Sequence, residues 1–377
     1  LGPKRFCLKP EPLKRKDRDV MTWLSILVFI FIFGLFVFVH ELGHFWAAIK
    51  SGVKVEEFGF GLPPRIWGTK KHGVIYSINW IPFGGFVRIK GEGVDGGHDP
   101  DSLKNKSYGV RILVTVGGVL MNFLTAFGLL MFGFWLGMPP IVSDASRYAI
   151  DNSQLESQIL IVHVDRGTPA ELAGIKAGDI VVTADGIALK TVPELQQAIA
   201  GKRQVNMVVR RDQERLTLPV TTIREENREV IGVLADELVS KVHYTWWKVP
   251  YFAILETGQL IKNIAIGIVD FLASLVSTGS LPDSVAGPVG IAKITAQAVA
   301  LGFLSVLQFA IFLNVNLGLI NIVPFPALDG GRLLFLLIEI SRGGRRIKPE
   351  IENAIHSFGF LLLLALIFVV TYRDIFK

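Results

Sequence analysis

"FVFVHELGHFWAAIK", Phe36 to Lys50, closes a long apolar run with two histidines and a glutamate. Ionisable side chains inside an apolar span are costly and mark a functional interior, so the spacing of His40, Glu41 and His44 carries the reading. They form the pattern H-E-x-x-H. On a helix, positions four apart sit one turn apart on one face, so two imidazoles can hold a single zinc ion with Glu41 beside the reacting water. The competing reading is a pair of helix-end histidines bonded to backbone carbonyls. Depth favours the metal: counting back from Lys50 at 1.5 Å per residue puts His44 and His40 about 9 and 15 Å inside the span.

Working outward, half of the 377 residues are hydrophobic, which is too apolar for an ordinary soluble enzyme of this size. The apolar residues gather into runs of about 18 to 25, the length that crosses about 30 Å of hydrocarbon. Four runs read as transmembrane helices, at residues 21–50, 110–138, 303–331 and 355–373. A further stretch, 241–280, carries Glu256, Lys262 and Asp270 and reads as an amphipathic helix lying at the interface. The single cysteine, Cys7, leaves no internal disulfide to form. The net charge of +6 is accounted for by basic loops beside the membrane, so the lipid bilayer is the expected partner and nucleic acid is not.

Two regions outside the spans have patterns of their own. Loop one, residues 51–109, contains "GVIYSINWIPFGGFVRIKGE", in which Val74, Tyr76, Ile78 and Trp80 alternate before a turn through Pro82, Gly84 and Gly85. It reads as a membrane-associated β-hairpin, which either pairs with an extended peptide or is simply structural. Residues 154–236 have the composition of a soluble module, with strands such as "QVNMVVRR" and "RLTLPVTT". Its "TPAELAGIKAGD" followed by "ADG" resembles a PDZ domain of the bacterial type. That resemblance implies a peptide-end site at Ile231, Gly232 and Val233, the alternative being a spacer or filter that binds no peptide.

Loop one and the short loop after the third run are both rich in Lys and Arg, so both are expected to face the cytoplasm, with the 154–236 module outside it. The basic segment 1–20 contradicts this orientation, which leads to the expectation that Met21 is the natural start.

A zinc site with two histidines needs a third protein ligand. "NIVPFPALDGG", Asn321 to Gly331, supplies the best candidate in Asp329, because Pro324 and Pro326 break the third span just before it. Four crossings make the first and third spans parallel and bring Asp329 to the same side as His44; a fifth crossing at 246–276 would undo the pairing. Glu339, about three turns beyond, is poorly placed as a rival ligand.

Taken together, H-E-L-G-H in the first span, "NIVPFPALDGG" at the end of the third and a PDZ-like module between the second and third spans resemble the site-2 protease family, in its bacterial regulator of sigma-E protease form with one PDZ domain. "IPFGGFVRIKGE", "GGVLMNF" and "AGPVGIAK" belong to the same likeness. It implies a polytopic α-helical membrane protein with four transmembrane helices, a cytoplasmic-side hairpin loop and one inserted extracytoplasmic PDZ domain, placed in the bacterial inner (plasma) membrane.

The resemblance further implies Zn2+ held by His40, His44 and Asp329, with Glu41 as the catalytic residue. Asn122 is implied to lie near the zinc and hold substrate or the oxyanion, and its depth in the second span is comparable to that of His40; the alternative is a helix-packing hydrogen bond. Asn321 is implied to grip an unwound substrate, or else caps carbonyls freed by Pro324. The segment from Ile81 to Ile89, with Gly84, Gly85 and Phe86, is the expected place for substrate pairing. Substrates are expected to be transmembrane helices of single-span proteins, such as anti-sigma factors or remnant signal peptides, after a first cleavage. The alternative is an inactive membrane-anchored protein that binds peptide C-termini through its PDZ domain.

Overall fold

A computed structural model describes residues 15–92, 99–142, 155–165, 167–211, 214–225, 228–242, 244–278 and 287–376. Residues 1–14, His98 and His243 lie outside the described residues. The chain forms two compact units, one of Phe134–Val249 and one of Lys14–Gly133 with Pro250–Lys377.

In the second unit, α1 (Arg15–Lys50) is followed by β1 (Val55–Lys71), β2 (Val74–Ile89) and α2 (Tyr108–Trp135). The two strands bend so that they form four segments of one antiparallel sheet. Residues 55–60 pair with 85–89 on one side and with 75–78 on the other, while 65–71 pair with 74–79, leaving 85–89 at an outer edge. The sheet rests on α1 and the start of α2 through Phe45, Ala48, Phe58, Val74, Ile89 and Val114. Gly43 and Gly117 let α1 and α2 touch: a Cβ on Gly43 would lie 2.2 Å from the Gly117 carbonyl oxygen. Small residues at a helix crossing have this use in membranes.

The first unit carries β3 (Leu155–Val164), α3 (Pro169–Leu172), β4 (Ile180–Ala184), β5 (Ile187–Ala188), α4 (Val192–Ile199), β6 (Gln204–Arg211), β7 (Glu214–Thr221), β8 (Ile223–Glu225), β9 (Arg228–Val230) and β10 (Val233–Val242). Its main sheet has the order β10-β3-β4-β6-β7, with β5 paired to β4. Asp185 and Gly186 both adopt positive φ in the turn that the sequence marked as "ADG". A capping box of Thr191 and Glu194 starts α4. That helix buries Leu195 and Ile199 with Ile159, Ile161, Val181, Met207 and Val209 in one apolar core.

The second unit resumes with α5 (Val249–Thr278), α6 (Pro288–Leu301), α7 (Phe303–Ile322), α8 (Asp329–Ser341) and α9 (Pro349–Phe376). Five of the described helices, α1, α2, α5, α7 and α9, are long and apolar enough to cross a membrane. In α5, Glu256 is fully buried while Ile254, Ile266 and Val269 are exposed. Helices α1 and α7 run parallel: Ile32 and Phe36 pack with Ala310, and the residues beyond them, His40 and His44, meet Asp329 just past the end of α7. Parallel spans need an odd number of crossings between them, met by α2 alone or by α2, α5 and α6 together. At 14 residues, α6 spans only about 21 Å, short of the roughly 30 Å of a hydrocarbon core.

Candidate metal centre

Helix α7 stops where the prolines require it. Val323, the residue before Pro324, is extended, as the proline ring demands of its predecessor. The chain then doubles back so tightly that a Cβ on Gly330 would lie 2.2 Å from the Val323 carbonyl oxygen and 2.3 Å from that of Ile322. The two glycines thereby let α8 begin at Asp329 immediately beside the end of α7. Ala327, at φ 80°, donates its N–H to His356 Nδ1 at 3.0 Å and ties this loop to α9.

This return brings Asp329 to the two histidines. Its Oδ2 lies 2.8 Å from His40 Nε2 and 3.1 Å from His44 Nε2, and the two Nε2 atoms are 3.2 Å apart. A tetrahedral ion with bonds near 2.0 to 2.1 Å holds its ligand atoms about 3.4 Å apart, so this triangle fits zinc, and two imidazoles with a carboxylate are a donor set that zinc accepts. The far nitrogen of His44 is fixed, because its Nδ1–H donates to the Val114 carbonyl at 2.7 Å, leaving Nε2 as the donor toward the ion. Gly118 keeps the space open: a Cβ there would lie 2.5 Å from His44 Nε2 and 2.6 Å from His40 Nε2.

Glu41 sits between the two histidines in sequence and turns its carboxylate to the sheet edge, where Oε2 accepts the Val87 N–H at 3.0 Å. Asn122 is fully buried with its amide nitrogen 3.4 Å from His40 Nδ1. Of the residues expected to pair with substrate, Gly84 and Gly85 are packed against α1, where added Cβ atoms would meet Val37 and Phe38, and Phe86 lies over Gly59. Val87, one residue further on, is the position that reaches Glu41. Asn321 is half-buried in the last turn of α7.

Glu339 is committed elsewhere. Its carboxylate takes two hydrogen bonds of 2.8 Å from Arg111 and a third from Arg346. On the same helix Arg332 pairs with Glu92, and Arg346 donates to the Lys104 carbonyl, so loop one and the loop after α8 lie at the same end of this unit. A cavity of about 680 Å³ opens among these residues, lined by Thr115, Ala327, Arg332, Glu339 and His356. In the other unit, Ile231 is part of the apolar core, Gly232 has φ 78° with no room for a Cβ beside Thr168, and Val233 opens β10.

Val114, Gly118, Val87 and Asn314, described below, escaped the sequence reading. The glycine pair of "GGVLMNF" was the one available signal, since small residues in a span mark a close approach.

A helix presenting two histidines one turn apart with a glutamate between them, met by a carboxylate from a second helix, is an arrangement that could hold a metal ion. The chain belongs to Peptidase family M50, whose sequence profile matches residues 28–366. It is similar to the Regulator of sigma-W protease RasP of Bacillus subtilis (strain 168), with 28% identity covering 93% of this chain and 98% of that one. Likeness to the Zinc metalloprotease RasP of Shouchella clausii (strain KSM-K16) is 31% identity over 94% of this chain and 99% of that one. The crystal structure of the PDZ domain of the SdrC-like protein (Lmo2051) from Listeria monocytogenes matches 20% of this chain and 85% of its own, at 21% identity and a TM-score of 0.19.

Proposed function

We propose that this protein is a zinc-dependent intramembrane endopeptidase that cuts transmembrane segments of single-span membrane proteins. The observation that carries the reading is the meeting of His40, His44 and Asp329 beside Glu41 at a depth where a purely structural role would not offset the burial of so many polar groups.

His40, His44 and Asp329 would hold the ion, and a bound ion would supply Lewis-acid polarisation of the scissile carbonyl and a more acidic water near neutral pH. Glu41 takes a proton from the attacking water and delivers it to the amide nitrogen as the C–N bond breaks. Asn321, half-buried in the last turn of α7, holds the unwound substrate, and Asn122 lies against His40. A transmembrane helix hides its peptide bonds in its own hydrogen bonds, so the scissile segment has to unwind. The outer edge at 85–89 offers backbone partners for the unwound segment, and Val87 puts such a strand within reach of Glu41. The 680 Å³ cavity, with its charged lining, is wide enough to admit water beside Ala327 and Arg332, which flank Asp329.

Both basic loops at one end of the helical unit support a cytoplasmic placement of that end in a bacterial plasma membrane. The α5 helix lies at the interface in this reading, giving four crossings. The name of the Bacillus subtilis relative supports substrates that restrain sigma factors; remnant signal peptides are the other class that fits. The PDZ module filters substrates or binds their free ends near Ile231, Gly232 and Val233.

The test is to purify the protein, measure zinc, and compare cleavage of a model transmembrane substrate by wild type, Glu41→Gln and Asp329→Asn. Wild type is expected to cut, both variants to be inactive, and Glu41→Gln to keep its zinc. Wild-type rates in Glu41→Gln would overturn the reading.

A further inference from the structure

Three buried groups outside the ligand set line up behind His40. Asn314, on α7, is fully buried and donates its amide N–H to the main-chain carbonyl of Asn122 at 2.7 Å. Asn122, also fully buried, places its own amide 3.4 Å from His40 Nδ1. Gly318, one turn beyond Asn314, lets α7 come this close, since a Cβ there would be 3.3 Å from the Asn122 Cβ. Among the described residues the Asn122 Oδ1 is buried with no hydrogen-bond partner, an arrangement that a protein core seldom tolerates without a use for the atom.

His40 supplies that use. With Nε2 facing the ion, the proton of a neutral imidazole resides on Nδ1, and that N–H needs an acceptor. A half-turn of the Asn122 amide exchanges its nitrogen and oxygen and sets Oδ1 against Nδ1. His44 already has the matching arrangement through the Val114 carbonyl.

We infer that Asn122 and Asn314 form a positioning relay for His40, in which Asn314 fixes the α2 backbone at Asn122 and Asn122 accepts the His40 Nδ1 proton to hold the ring for metal binding. The inference rests on the metalloprotease reading of the same site. It gives Asn122 a role that does not require substrate.

The test uses the full chain in detergent, stripped of metal and titrated with Zn2+ and with Co2+, whose visible spectrum reports ligand geometry. Asn122→Leu is expected to bind about 10- to 100-fold more weakly. Asn122→Asp keeps an acceptor and is expected to stay within a few-fold of wild type. Asn314→Leu is expected to weaken binding and alter the Co2+ spectrum, while the double variant Asn122→Leu with Asn314→Leu is no worse than Asn122→Leu alone. Melting of the metal-free forms identifies a variant that has merely unfolded, and Asn122→Asp then carries the test. Unchanged metal affinity in Asn122→Leu, even with cleavage lost, would overturn the relay, and additive losses in the double variant would remove Asn314 from it. Failure of wild type to bind either ion would bring down the protease reading and the relay with it.

Discussion

The backbone N–H of Val87 donates to Glu41 Oε2 across 3.0 Å, joining the outer edge of the sheet to the glutamate between the two histidines. Val87 sits opposite Phe58 in the sheet, yet its N–H faces away from that strand. An edge strand with an outward N–H is where a further strand adds.

Replacing Val87 by Pro removes this donor at a position where a sheet tolerates proline. The expected result is a drop in kcat/KM of about 2- to 12-fold, the worth of one backbone hydrogen bond, with zinc content unchanged. Val87→Ala, which keeps the N–H, is expected to cut like wild type. Equal cleavage kinetics in the proline variant would show that the hydrogen bond from Val87 to Glu41 does not serve the reaction.

Gly118→Ala tests how tightly the metal site is walled. Its Cβ would fall 2.5 to 2.6 Å from ring atoms of His40 and His44, and those rings are pinned by Val114 and Asp329, so they have little room to give. Zinc affinity is expected to fall by at least about 10-fold. Gly128→Ala, which meets nothing within 4 Å on the same helix, is expected to leave affinity alone and to raise the melting temperature slightly, a helical alanine being worth up to about 1 kcal/mol.

Arg111 and Glu339 form a bidentate pair with side chains only 16% and 8% exposed, and it ties α8 to α2. Glu339→Leu leaves the arginine without its carboxylate and is expected to cost roughly 3 to 5 kcal/mol. Adding Arg111→Met should recover much of the loss. Thermal unfolding in detergent reads the difference, and a double variant as unstable as the single one would contradict it.

Glu57 makes the sheet sensitive to acid. Burial opposes its ionisation, but the Ser77 hydroxyl at 2.8 Å, Arg65 and Arg88 hold the carboxyl below its ordinary range. A lowered folded pKa contributes stability that is fully present above the unfolded value of about 4.3 and is lost as pH falls through the folded value. Hydrogen-exchange protection in residues 55–89 is therefore expected to decline below about pH 4.3 in wild type. In Glu57→Gln it is expected to be lower at neutral pH and flat with acidification.

His40, His44 and Asp329 were legible as candidate metal ligands because a spacing of four on a helix, and a proline break before an aspartate, are written in residue letters. So was the PDZ-like module, through its turn residues and strand patterns. Val87 and Val114 were not, because they act through backbone groups that every residue carries. Asn314 was hidden for another reason: α7 holds three asparagines, and in a span apolar on all sides no hydrophobic stripe says which of them points at α2.

Sequence by itself determined the two-histidine turn, the break at Pro324 and Pro326 and the apolar lengths, since these follow from local geometry and the thickness of a bilayer. Only the tertiary structure decided that Asp329 meets His40 and His44, that Glu339 is taken by Arg111, and that Glu256 of α5 turns inward. Each of these depends on how closely helices distant in sequence approach, and that distance is set by glycines such as Gly43, Gly117 and Gly330 whose use appears only when a neighbouring chain fills the space a side chain would need.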